Sequence, residues 1–376
     1  MIFSFSLLLT ALLATAHPGE EDLSAHAIRE ETANTHVVSA LNARALEHAC
    51  RNRNADEVRA YKERAVARRA ATFERLRRER GLEDAPWLHR RDAASLRKWS
   101  ALNHDKTGIL NLNKDSSAAE IFGSNTSCVL TPDNANGPYF VLQEPIRTDL
   151  VEGGSGGSLY TRGVPMHLEL QFVDVNTCHP VADQQLLIDT WSCNATGAYS
   201  GVSAAGEGGL GTTYLRGVQP TDSDGVVSFD TIFPGHYQGR ATHQHLIAHV
   251  GASVLPNGTY TGGRVAHLSQ LFFDQTLRDA VEATAPYAQN RIPRTSNLQD
   301  GFTGYAATSA YDPFPNYILL GNTLADGIFV WAELGLNTSA NWDYYAPYAA
   351  TWKQGGGYNN PNFNFMAVVN PPPSHG

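Results

Sequence analysis

Apolar and polar positions alternate through the middle of the chain. Met166-His-Leu-Glu-Leu-Gln-Phe172 shows the pattern within Pro165–Val175, and strand-like runs recur at Gln185–Trp191, Val226–Ile232, Thr242–Val250 and Arg264–Phe273. Asp222-Ser-Asp-Gly225 and Pro256-Asn-Gly258 supply turns between them. Short strands without long intervening helices predict a mainly β protein, a β-sandwich. One short helix is expected at Gln275–Ala283, an extended loop over Pro293–Asp312, and two further strands within Tyr317–Leu334 around Ala325-Asp-Gly327. The period changes near the N-terminus. From Leu23 to Gly81 the spacing of Val58, Tyr61, Ala65, Thr72, Phe73 and Leu76 is helical. Two helices are predicted, the second starting at Asn54 or Asp56 and stopping at Gly81, with the basic run Arg75–Arg80 as a solvated face.

These patterns divide the chain into a signal peptide (1–16), a helical N-terminal segment or propeptide (17–91), a linker (92–124), a β-sandwich domain (125–350) and a Gly/Asn/Pro-rich tail (351–376), wrapped or disordered. The run Phe3-Ser-Phe-Ser-Leu-Leu-Leu-Thr-Ala-Leu-Leu13 is too short to span a bilayer and ends in Ala14-Thr-Ala16, which predicts secretion. Arg90-Arg91 is either a dibasic processing site that releases a propeptide or an exposed linker.

Composition agrees with export. The sequons at Asn125, Asn194, Asn257 and Asn337 are glycan acceptors, although Asn194 lies in a stretch where burial would block it. Cys50, Cys128, Cys178 and Cys193 suit an oxidising compartment, and a pair within the β-sandwich domain is favoured. The 376 residues are 42% hydrophobic and 17% charged, with a net charge of −9. This acidic balance argues against a nucleic-acid partner, and no membrane partner is expected. A homodimer through the N-terminal helices is left open.

The chemistry concentrates in Phe233-Pro-Gly-His-Tyr-Gln-Gly-Arg-Ala-Thr-His-Gln-His245. On an extended backbone His243 and His245 face the same side, about 7 Å apart, as two ligands of one metal ion would. A solvent-facing His pair on a strand has the same spacing, so the neighbouring phenols decide. Tyr237 follows a Phe-Pro-Gly turn, and Tyr199 closes the apolar run that starts at Leu186. A phenolate at neutral pH requires a strong, hard cation, and two phenols with two imidazoles favour ferric iron. His236 and His249 are assigned supporting or structural roles, and Trp191 and Phe233 are assigned to the core.

These residues resemble the intradiol ring-cleavage dioxygenases, particularly their secreted fungal branch, whose fold is an intradiol dioxygenase-like or transthyretin-like β-sandwich. The resemblance rests on Asn194-Ala-Thr-Gly-Ala-Tyr199, Pro234-Gly-His-Tyr237 and Arg240-Ala-Thr-His-Gln-His245, with Gly137-Pro-Tyr-Phe140 similar to the family's Gly-Pro-aromatic lead-in. It implies a non-haem Fe(III) held by Tyr199, Tyr237, His243 and His245, and no organic cofactor. It also implies cleavage of a catechol by O2 between its two hydroxyl-bearing carbons, giving a muconate-type diacid. Tyr237 would be the ligand that the substrate displaces, and Arg240 would lie beside the bound ring. Ser192 stands where many relatives have His or Gln, and only Gln238-Gly239 separate Tyr237 from Arg240. Both departures bear on substrate identity. The alternative is a secreted binding module on the same sandwich, its site vestigial or occupied by zinc.

Overall fold

The computed structural model describes residues 25–84, 117–122, 129–130, 137–151, 161–182, 185–307, 312–353 and 356–363. The expected signal peptide, the Arg90-Arg91 site and Asn125 lie outside them. Two helices open the described chain, α1 (Ala25–Asn52) and α2 (Ala55–Glu79). Asn54 caps α2 by accepting the Asp56 N–H at 2.8 Å. A short helix, α3 (Ala118–Phe122), precedes the strands.

Two sheets then pack face to face. The first joins β1 (Val129–Leu130), β3 (Pro165–Asp174), β6 (Val226–Ile232), β9 (Asn316–Leu319) and β10 (Ile328–Leu336). Here β10 runs parallel to β3, and β6 runs antiparallel to β3 on its other side. The second sheet is antiparallel, in the order β5 (Arg216–Pro220), β4 (Leu186–Trp191), β7 (His243–Val254), β8 (Tyr260–Phe272). Alternation decides what each face buries. Leu168, Leu170 and Phe172 of β3 meet Ile188 of β4 and Leu246 of β7 between the sheets. The intervening residues turn outward and are buried too, because each sheet carries a further layer.

On the first sheet that layer is helical. Phe73 and Leu76 of α2 and Phe122 of α3 cover Phe329 and Trp331 of β10. Each such buried side chain stabilises the contact by about 1.5–3 kcal/mol. Arg69, 1% exposed, places its Nε 3.2 Å from Glu169 and its Nη2 3.2 Å from Gln171 on the outer face of β3. The basic face is therefore only partly solvated: Arg75 pairs with Glu79 in the open, whereas Arg77 is buried and donates to the Leu320 and Leu82 carbonyls. Part of the expected linker, residues 118–122, thus belongs to the packed structure, since Phe122 fills the gap between Phe73 and Trp331. The disulfide also departs from expectation. Cys50 of α1 bonds to Cys178 after β3 and ties the helices to the sandwich, while Cys193 is a buried free thiol.

On the second sheet the outer layer comes from the chain ends of the domain. β2 (Val141–Leu142) pairs with β11 (Ala350–Lys353), which pairs with β12 (Gly356–Asn359). The tail is wrapped at least to Phe363. Between this layer and the sheet lies a second core of Phe140, Trp191, Tyr199, Ile247 and Leu268. The helix α4 (Gln275–Glu282) forms as predicted, and α5 (Gly301–Ala306) interrupts the expected loop, its first turn capped by Asp300. No described helix is long and apolar enough to cross a membrane.

Candidate metal centre

Strand alternation puts Leu246 and Ala248 of β7 in the inter-sheet core, so His243 and His245 emerge on the outer face with Ile247. Their Nε2 atoms lie 3.0 Å apart. Tyr199, on the loop after β4, brings its hydroxyl to 3.2 Å from His245 Nε2. Tyr237, on the turn after β6, brings its hydroxyl to 3.1 Å from His243 Nε2. Donors held about 2.0–2.2 Å from one shared ion stand about 3 Å from one another, so four donors converge at a spacing that fits a single ion. All four residues are at most 8% exposed, Tyr237 the most.

The donor chemistry fits as well. His243 Nδ1 lies 2.6 Å from the Ala241 carbonyl, which places the ring hydrogen on Nδ1 and leaves the Nε2 lone pair facing the site. Burial holds the Tyr199 phenol well above its ordinary value, and the neighbouring Tyr237 reinforces this against Arg240. Ionising it therefore requires a cation at the same spot. Among the described residues no group of three His, Cys, Asp or Glu is placed to hold a metal ion, so in this set the phenols accompany the two imidazoles.

Several residues hold these donors in place. The ring of Trp191 stacks on His245 with centroids 4.7 Å apart and planes 4° from parallel. Gly137, at φ +74, leaves room where a Cβ would sit 3.1 Å from His245 Cε1. The Tyr199 backbone N–H donates to Glu207, and the Tyr139 ring lies 5.0 Å from the Tyr199 ring.

Arg240 is not on the strand, which begins at His243. It follows Gly239, whose φ of +80 turns the backbone. Its buried guanidinium is fixed by Asp300 at 3.1 Å, by the Gln270 side-chain oxygen and by the Phe302 ring, 4.1 Å below it. His236 stands apart, 2.7 Å from Glu282 and 2.8 Å from the Ile292 carbonyl, and His249 packs between Phe140 and Tyr260. Ser192 is buried, and Phe233 lies in the inter-sheet core against Phe273.

Sequence reasoning missed a buried polar cluster behind Trp191. Arg216 Nη1 lies 2.8 Å from Glu144, Asp189 accepts the Tyr260 hydroxyl at 3.0 Å, and the Arg216 guanidinium lies 6.0 Å from the Trp191 ring. Burial raises both carboxyls, Glu144 well above its ordinary range and Asp189 up to about 7. Burial also lowers His249 to about 4, so its 3.8 Å approach to Asp189 is no ion pair. The signal was available: Asp189 is a lone acid within the apolar run Leu186-Leu-Ile-Asp-Thr-Trp191.

Residues 135–267 match the family model described as Dioxygenase. The chain is similar to an intradiol ring-cleavage dioxygenase from Tetranychus urticae, at 29% identity over 57% of this chain and 97% of that one, with a TM-score of 0.46. It is similar to the dioxygenase domain of a dioxygenase carbohydrate-binding protein fusion from the cellulolytic bacterium Streptomyces sp. SirexAA-E, at 24% identity over 56% and 99%, with a TM-score of 0.37. For catechol 1,2-dioxygenase from Pseudomonas arvilla C-1 the values are 19% identity, 57% and 65% coverage, and a TM-score of 0.36. No curated protein matches the chain.

Proposed function

We propose, for a chain whose residues 135–267 match the family model described as Dioxygenase, that this protein is an intradiol ring-cleavage dioxygenase that holds one non-haem Fe(III) and cleaves catechols with O2 between the two hydroxyl-bearing carbons. One observation carries the reading: two phenol oxygens and two imidazole nitrogens, from three separate segments, converge within 3.0–3.2 Å of their neighbours. When bound, ferric iron supplies a Lewis acid that holds the catechol dianion and makes its ring reactive toward O2.

The protein's own residues divide the remaining work. Tyr199, 1% exposed and fastened through its backbone to Glu207, is the permanent anionic donor. Tyr237, on a turn and nearer solvent, is the phenol that leaves as substrate enters; its Oη takes up one of the two substrate hydroxyl protons, and a hydroxide that would balance the ion's charge takes up the other and departs as water. His243 and His245 stay in place, oriented by the Ala241 carbonyl and by Trp191. Arg240, preorganised by Asp300 and Gln270, holds positive charge near Tyr199 and stabilises negative charge that develops on the substrate ring. The Cys50–Cys178 disulfide and the exposed sequon at Asn257 support an extracellular location.

Metal analysis and oxygen uptake test this reading. The expected results are one iron per chain, a red-brown colour from phenolate-to-iron charge transfer, and one O2 consumed per catechol. A colourless protein after reconstitution with Fe(III), or one that takes only zinc, overturns it in favour of a binding module.

A further inference from the structure

The outer layer on the second sheet does more than close the core. Beside Tyr139, whose ring packs against Tyr199, the structure opens a cleft of about 450 Å³. Tyr139 lines the cleft and its ring touches Tyr199, so a single residue stands between the cleft and the four-donor site. The C-terminal strap, Asn360, Pro361 and Phe363, and the half-buried Ala204 line it as well.

That strap is built in advance. Asn360 donates its backbone N–H to the Ala349 carbonyl at 2.8 Å and its side-chain amide to the Tyr348 carbonyl at 2.9 Å. Asn360 also accepts the Phe363 N–H at 3.1 Å through its carbonyl. On the side of the Tyr199 loop, Ser203 donates to Asn359 at 3.0 Å and Gly357 donates to the Leu210 carbonyl at 2.8 Å. The strap is therefore latched to the loop that carries one metal donor and to the strand that pairs with β2.

Two properties of the cleft select a ligand. Its volume falls within the range of about 300–1,000 Å³ that accommodates drug-sized molecules, more than one benzene ring fills. Among the described residues that line it none is charged, and most are aromatic, Pro, Ala or Val, with two amides and two hydroxyls, of Tyr139 and Ser203, as the polar groups. An uncharged planar group stacks and desolvates cheaply there, whereas a carboxylate has no cation in the lining to meet it.

We propose that this cleft binds an uncharged aryl substituent of the substrate, so that the strap Gly356–Phe363 selects aryl-substituted catechols over catechol itself and over carboxylated catechols. The proposal rests on the ring-cleavage reading for the identity of the catechol end. The cleft's part in binding is measured separately from turnover.

Anaerobic titration calorimetry of the full iron-loaded chain compares catechol, 4-phenylcatechol and protocatechuate. The expected result is 4-phenylcatechol bound at least about tenfold tighter than catechol, with protocatechuate no tighter than catechol. Ala204→Phe, at a half-buried position, fills the cleft and abolishes the preference while catechol affinity stays within about twofold. Phe363→Ala, which removes a wall without crowding, weakens 4-phenylcatechol alone by about three- to tenfold. Equal affinities in the wild type, or variants that weaken both ligands alike, overturn the proposal. Oxygen uptake on catechol is recorded on the same samples. Uptake without the binding preference refutes the cleft assignment and leaves ring cleavage standing; the preference without uptake does the reverse.

Discussion

The indole of Trp191 lies parallel to the imidazole of His245, 4.7 Å centroid to centroid, on paired positions of adjacent strands. Trp191 is fully buried, so its ring fixes the plane in which the His245 lone pair points. Trp191→Ala is expected to weaken iron binding by about 10–100-fold and to cost about 3–5 kcal/mol of stability. Trp191→Phe keeps a stacking face and should retain most of the iron affinity. Chelator competition on both variants checks this, and equal losses would refute an orienting role.

Tyr199 and Tyr237 should respond differently to loss of the hydroxyl. Tyr199→Phe removes the more deeply buried phenol and is expected to lose the colour and most of the iron. Tyr237→Phe is expected to keep iron and shift the absorption band. Iron content by mass spectrometry with a visible spectrum separates the two outcomes.

Arg240 and Asp300 must be tested together. Asp300 is buried and accepts both the Arg240 guanidinium and the Ala241 N–H, so Arg240→Leu alone strands a buried carboxylate. That variant should lose about 3–5 kcal/mol of stability as well as activity. Adding Asp300→Asn should restore most of the stability while turnover stays about 10²–10³ below wild type, because the charge at the ring is still missing. Recovery of turnover in the double variant would make Arg240 purely structural.

Asp189 and His249 should contribute opposing slopes to stability in mildly acidic solution. His249 titrates near 4 when folded and near 6.5 when unfolded, so between these values the unfolded chain binds more protons and stability falls on acidification. Asp189 titrates near 7 when folded and near 3.8 when unfolded, so there the folded chain binds more protons and stability rises on acidification. Each slope is about 1.4 kcal/mol per pH unit, with opposite sign. Asp189→Asn should unmask the His249 slope, seen as a steeper loss of denaturant midpoint from pH 6.5 to 4.

Glycan occupancy should follow exposure. Asn257 is exposed on the turn between β7 and β8 and is expected to carry a glycan. Asn194 is 4% exposed, and its side-chain oxygen accepts from the Thr196 N–H and hydroxyl and from the Ala198 N–H, so it should not. Glycopeptide mapping of protein secreted from a eukaryotic host reads both sites.

The strands that alternate were legible because a period of two leaves a mark on every second residue, as in Met166–Phe172. That Tyr199, Tyr237, His243 and His245 come together was legible because each sits in a short motif. The strand Arg216-Gly-Val-Gln-Pro220 was not, since Gly and Pro are weak strand formers and its pairing with β4 is decided by tertiary contact. The anchors of Arg240 were not legible either. Gln270, Asp300 and Phe302 lie 30 to 62 positions away, and only the fold brings them under one guanidinium. The same holds for Cys50 and Cys178, 128 positions apart, whose pairing no local pattern in the sequence reveals.

That bond has a covalent consequence for maturation. It spans the Arg90-Arg91 dipeptide, joining a residue before it to one after it. Hydrolysis there would not liberate the N-terminal helices; it would convert one chain into a light and a heavy chain held as a heterodimer by Cys50–Cys178. The two would migrate together until a reductant was added.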